Sequence, residues 1–199
     1  AVRDLAIQQR ESDLVLATFG RSCYVLDDYS PLRALNAEVM EKEAHIFPIK
    51  TAHMYVQDAP LALNDKAFLG ADFYTAPNPP FGATFTYYLK ESYRSNKSKR
   101  QSADAKKAKA GEDVPYPSWD TLKKEDREEN PAVSLVIRDS DGQIVRRLKG
   151  KTSKGVHRAT WNFRHPSFAG RGNGPLALPG NYTVSIEKHM GGETTELVA

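Results

Sequence analysis

Residues 133–148, VSLVIRDSDGQIVRRL, decide the fold. The apolar run at 133–138 and the mixed run at 143–148 flank Asp141-Gly142, a pair that closes hairpins because glycine adopts positive φ without a steric penalty. Working outward, two more segments follow the same pattern. In 155–164 (GVHRATWNFR), His157, Ala159, Trp161 and Phe163 alternate with Arg158, Thr160 and Asn162. In 179–186 (PGNYTVSI), Tyr182, Val184 and Ile186 alternate with Thr183 and Ser185. A period of two places the large residues on one face of a strand and the polar ones on the other. A closing hairpin is expected over 186–190 and 194–198, turning at Gly191-Gly192. These elements predict a mainly β chain with a β-sandwich over 81–199.

Further upstream, 84–91 (TFTYYLKE) reads as a strand with Phe85, Tyr87 and Leu89 on one side. Between it and 133–138 lies a charged excursion, 92–130. Its first half, 94–109, holds seven basic residues and one acid, a local charge of +6; 112–129 holds seven acids and three bases, a local −4. Strong helix formers at 98–110 lack an apolar stripe, so a polar helix and a disordered segment both remain open there. The segment 118–129 (SWDTLKKEDREE) predicts a short helix capped by Ser118, with Asp120 near the positive end of its dipole.

Residues 1–35 predict a hairpin with flanks: DLAIQQ, then DLVLATF, a turn at 20–22, and CYVLDD. Leu14, Leu16, Tyr24, Val25 and Leu26 would each forgo about 1.5–3 kcal/mol if left in water, so the hairpin needs a sheet partner. Residues 36–80 read as a connector with short extended pieces (HIFPIK, HMYVQ), finishing at Pro77, Pro79 and Pro80, where helix is excluded.

Net charge is +3, and the basic run has no aromatic residue between Tyr93 and Tyr116, which argues against nucleic-acid binding. No apolar run reaches bilayer-spanning length, and no signal-peptide pattern opens the chain. The first residue is Ala1, so a processed chain or an excised piece of something longer is expected. The lone Cys23 is expected as a small buried apolar side chain. No metal or cofactor site is predicted. Asp139-Ser140-Asp141-Gly142 lacks the remaining carboxylates of a calcium loop and reads as a turn. Residues 170–174 (GRGNG) run into Pro175, without the helix a phosphate cradle requires, and read as a sandwich loop.

Nor does a catalytic constellation emerge. Asp27 and Asp28 are adjacent, so on a strand they point to opposite faces and suit turn and capping roles better than glycoside chemistry. His157 shares a face with Trp161 and reads as a hydrogen-bonded residue at the core edge, and His165 beside Pro166 as a loop residue. Tyr182, just after Pro179-Gly180, suits a tyrosine corner, whose hydroxyl ties back to upstream backbone. Trp161 reads as a core anchor. Tyr116 and Trp119 in VPYPSW are the candidate carbohydrate-binding residues, because a proline-rich loop can hold rings exposed to stack on a sugar; packing of that loop onto the sandwich is the alternative expectation, and the favoured one.

The segments DLVLATFGRSCYVLDDYSPLRAL and NPPFGATFTYYLKE resemble the C-terminal portion of bacterial sortilin-type, neuraminidase-repeat β-propeller proteins, often labelled glycosyl hydrolases. The resemblance rests on Gly20, Arg21, Leu26, Asp27, Asp28, Pro31, Leu32 and Arg33, and on Asn78, Pro79, Pro80, Gly82 and Ala83. The closing D-x-x-G, G-x-H-x-x-x-W-N-x-R and P-G-x-Y-x-V patterns are similar to the immunoglobulin-like domain of flagellar hook-capping proteins. The resemblance covers most of the chain apart from 92–130. It implies that 1–35 are the last strands of a propeller, that 81–199 form an immunoglobulin-like sandwich, and that the location is extracytoplasmic. The implied role is a non-catalytic structural and docking domain whose partner is the upstream β-propeller of the same polypeptide. Two alternatives stand beside it: a carbohydrate-binding accessory module that takes polysaccharide, and a segment completing a glycoside hydrolase site in the full-length parent. The S-x-D-x-G-x-T-W boxes of the propeller repeats do not occur here, so the hydrolase label transfers to no residue of this chain.

Overall fold

The computed structural model describes residues 1–57 and 78–198; the middle of the expected connector, with Pro77, lies outside them. The chain is mainly β. Among the described residues ten strands form three antiparallel sheets: β1 (Val2–Gln8), β2 (Asp13–Thr18) and β3 (Cys23–Leu26) in order β1-β2-β3; β4 (Ala44–Ile46), β5 (Ala83–Leu89) and β8 (Gly155–Trp161) in order β4-β5-β8; and β6 (Ala132–Arg138), β7 (Ile144–Gly150), β9 (Thr183–Met190) and β10 (Glu193–Val198) in order β10-β9-β6-β7. Among the described residues four helices accompany them: α1 (Ser30–Ala34), α2 (Ala37–Glu41), α3 (Asn96–Lys109) and α4 (Trp119–Arg127). The chain divides into two compact units. One comprises Ala1–Ala34, Pro48–Thr84 and Thr160–Phe163; the other comprises Leu35–Phe47, Phe85–Ala159 and Arg164–Ala199.

In the larger unit the four- and three-stranded sheets form a β-sandwich. Phe85, Tyr87 and Leu89, the face expected to be buried, are buried, as are Val133, Leu135 and Ile137 of β6 and Ile186 of β9. The Tyr87 ring crosses from one sheet to the other. Its hydroxyl accepts from the Lys151 amide at 2.6 Å, and a Cβ on Gly150 would meet that hydroxyl at 3.0 Å. Burial raises the Tyr87 phenol above its ordinary range, the amide hydrogen bond opposing only in part. Asp141 and Gly142 do close the β6–β7 connection: Gly142 has φ 77°, and Asp139 Oδ1 accepts from the Asp141 and Gln143 amides at 3.0 and 2.8 Å. The closing hairpin pairs β9 with β10 through Glu193↔Met190 to Glu196↔Glu187.

The excursion is a helical hairpin. Of the two alternatives at 98–110, a polar helix is the one adopted, because its charges find partners. Arg100 grips Glu125 with two hydrogen bonds of 2.7 Å and Asp104 with a third of 3.1 Å. Lys97 meets Asp126 at 2.9 Å, and the Asn96 amide donates to Glu128 Oε2 at 2.7 Å. Ser95 and Ser118 cap the two helices. Lys97 and Arg100 of α3 thus each meet an acid of α4, joining the two opposed charge blocks.

In the smaller unit the expected hairpin is a three-stranded sheet, because DLAIQQ pairs in register with DLVLATF, from Leu5↔Leu16 to Gln8↔Asp13. Tyr55, Phe81, Phe163 and Trp161 form a chain of edge-on rings with centroids 5.1, 5.3 and 5.7 Å apart. Trp161 is buried, in keeping with its reading as an anchor.

Several sequence expectations fail. Cys23 is exposed rather than buried, since β3 is an outer strand with nothing described over it. Phe163 does not continue the β8 alternation: the strand ends at Trp161, and Phe163 turns to φ 59°, a left-handed conformation held by ring contacts with Phe81 and Trp161. Short helices α1 and α2 occupy positions read as flank and connector; Asn36 caps α2 by accepting from the Val39 amide at 2.9 Å. Within HIFPIK only His45 and Ile46 are in a strand, β4, and 53–57 (HMYVQ) form none.

Candidate functional site

The β1-β2-β3 sheet is the most unusual surface. Residues paired across an antiparallel ladder share a face. One face carries Leu5, Leu16 and Tyr24 in one row and Ile7, Leu14 and Leu26 in the next. The reverse face carries Ala6, Val15 and Val25 at its centre, flanked by Asp4, Ala17 and Cys23 on one side and by Gln8 and Asp13 on the other. Both faces are apolar at their centre, unlike an ordinary antiparallel sheet with one wet side. Leu5, Ile7, Tyr24 and Val25 are each more than half exposed. Monomeric soluble proteins seldom leave contiguous apolar surface open on this scale.

The end of the sheet is pinned by a compact polar turn. Asp28 sits at φ 45°; its amide donates to Asp13 Oδ1 at 2.9 Å, and its Oδ1 accepts from the Ser30 amide and hydroxyl at 3.2 and 2.6 Å. Lys50 reaches Asp28 Oδ1 at 3.4 Å and donates to the Glu11 carbonyl. These bonds give Asp28 the turn and capping role read from its position.

Tyr116 and Trp119 occupy the start of the second helical segment, Trp119 being the first residue of α4. Tyr116 is 86% and Trp119 70% exposed. The Lys123 ammonium lies 5.6 Å from the Trp119 ring centroid, within cation–π range. Both rings are thus open to a flat ligand.

Several other titratable residues hold structural positions. His157 Nε2 lies 2.6 Å from the Ser153 carbonyl, and its ring leans on Tyr87 with centroids 5.5 Å apart. Glu43 accepts from Lys188 at 2.6 Å and from the Tyr93 hydroxyl at 3.1 Å; Lys188 holds its carboxyl below the ordinary range, while burial and Glu43 drive the Tyr93 phenol up. Tyr182 immediately precedes β9, and its hydroxyl donates to the Leu178 carbonyl at 2.6 Å. Among the described residues no three His, Cys, Asp or Glu side chains gather as metal ligands, and no helix is long and apolar enough to cross a membrane.

One feature escaped sequence reasoning. An open groove of about 640 Å³ lies between 144–147 of β7 and the 165–172 loop, with Arg146, Arg147, His165 and Phe168 among its walls. Arg146-Arg147 was the available signal, but nothing in the chain order says that this loop faces that strand. Comparison with protein-family models, with characterised proteins and with solved structures found no match.

Proposed function

We propose that the chain is a non-catalytic docking and scaffold segment of a larger extracytoplasmic β-propeller protein of glycosyl-hydrolase-like type. In this reading β1-β2-β3 packs against the upstream propeller of the same polypeptide. The observation that carries it is the sheet's two apolar, exposed faces: a propeller blade lies between neighbouring blades and buries both sides. The resemblance of the 20–33 and 78–83 motifs to propeller C-termini points the same way.

The sandwich is assigned to the immunoglobulin-like class. Its strand order supports this: β4-β5-β8 faces β10-β9-β6-β7, so seven strands divide between the sheets with crossovers rather than simple meanders. The Tyr182–Leu178 hydrogen bond supports it too, placed at the start of the penultimate strand as a tyrosine corner is. The sandwich serves as scaffold, with its large residues spent on the core.

Mixing the chain with the separately produced upstream region tests the proposal. Tight association without a change in that region's activity is expected. Leu5→Asp and Val25→Asp, one on each face, should each abolish association while the melting of the sandwich is unchanged. Association that survives both substitutions would sink the docking role. A second reading, a polysaccharide-binding accessory module, is favoured by the exposure of Tyr116 and Trp119. Retention on polysaccharide that is lost in the Tyr116→Ala, Trp119→Ala double variant would establish it. Glycosidase activity gained only in the mixture would instead support a segment completing a hydrolase site.

A further inference from the structure

We infer that the groove beside β7 receives an extended acidic peptide segment, added as a further strand on the free edge of the four-stranded sheet. β7 is the terminal strand of the order β10-β9-β6-β7, and among the described residues no hydrogen bond reaches its outer edge over 144–149. Such an edge is a row of unused donors and acceptors, the template on which peptides are captured by strand addition. Here the edge forms one wall of a groove of about 640 Å³, within the span of roughly 300–1,000 Å³ common for ligand sites. The four residues 144–147 present roughly 13 Å of strand, enough to register a short segment.

The opposite wall is a built loop. His165 donates its amide to the Pro175 carbonyl at 2.9 Å, Arg164 reaches the Gly174 carbonyl at 2.9 Å, and the Ser167 hydroxyl donates to the Arg171 carbonyl at 2.6 Å. Gly174 is required: a Cβ there would sit 2.1 Å from the His165 carbonyl oxygen. The loop therefore stands away from β7 as a frame and leaves the slot open.

Charge selects the occupant. Arg146, Arg147 and His165 line the groove and no acidic side chain does. Arg147 is shared with Glu187, but Arg146 has no ion-pair partner among the described residues, leaving its guanidinium for an incoming carboxylate. Phe168 is 96% exposed at the rim, placed to cover an apolar side chain of the incoming strand. An unpaired strand edge favours peptide over glycan, which has no matching ladder of amides.

Fluorescence anisotropy with a labelled peptide of alternating glutamate and valine tests this on the full chain. Saturable binding is expected, weakening as salt rises. Arg146→Glu should weaken it by about tenfold or more. The peripheral Phe168→Ala should weaken it less, and serves as the alternative variant if Arg146→Glu fails to fold. Methylating alternate backbone nitrogens of the peptide should abolish binding in one of the two phases and spare it in the other. Binding indifferent to methylation in both phases, or unchanged in both variants, overturns the inference. So does the absence of peptide binding, including the case where oligogalacturonate binds in its place.

Discussion

At Gly82 a Cβ would lie 2.0 Å from the Trp161 carbonyl oxygen, and the backbone stands at φ 131°, a region closed to other residues. Gly82→Ala should therefore destabilise the protein by roughly 2–4 kcal/mol, read as a lowered urea midpoint. The resemblance motif contains this glycine; only the approach of the Trp161 backbone explains why it has to be one. Tyr182→Phe removes the hydroxyl's hydrogen bond to Leu178 and should cost about 1 kcal/mol with no change in fold, measured by the same denaturation. Tyr182 is legible in the sequence because its tie is local, four residues back along the chain. The exposure of Cys23 is not: it follows from what covers a face, and the pattern of one strand says only that the face is apolar. Phe163 departs from its alternation for a related reason. The period of two continues through it in the sequence, but the ring contacts that hold it at φ 59° include one from a distant position, Phe81.

Among the elements, α3 and α4 depend on each other. Neither has a substantial apolar stripe, and Glu125, though nearly inaccessible, is held ionised below its ordinary range chiefly by the Arg100 guanidinium. A carboxyl with a lowered folded pKa contributes stability that is present above its ordinary value of 4.5 and is lost as pH falls through the folded value. The helical hairpin should thus loosen on acidification below that range. Amide exchange at 96–127 should accelerate while exchange at 132–138 holds, and Glu125→Gln should produce the same selective acceleration at neutral pH. Sequence can place both helices and their serine caps, because those signals are local. The Arg100–Glu125 pairing that chooses helix over disorder is a contact between segments, visible only once both are placed. The β6–β7 and β9–β10 hairpins are legible throughout, since Asp-Gly and Gly-Gly fix the turns and alternation fixes the faces.

For the molecule as a whole, the same division holds. A mainly β chain with a sandwich is readable from strand periodicity; which strands neighbour one another, and hence the β7 groove, is not, because crossovers carry no mark in sequence order. The β1-β2-β3 sheet makes a prediction at this scale. With both faces apolar and β1 and β3 as outer strands, the isolated chain should self-associate, and a double variant carrying Leu5→Asp and Val25→Asp should shift it toward monomer in sedimentation velocity.

The helical hairpin also has a consequence for how this chain tolerates change in length. Its base is closed by the Asn96 amide on Glu128, and at its tip Gly111 has φ 75° and open space around it, so that a Cβ there would meet nothing within 4 Å. A loop clasped at its root and open at its crown can lengthen without disturbing what lies below it. Position 111 is accordingly where a reporter domain could be spliced in.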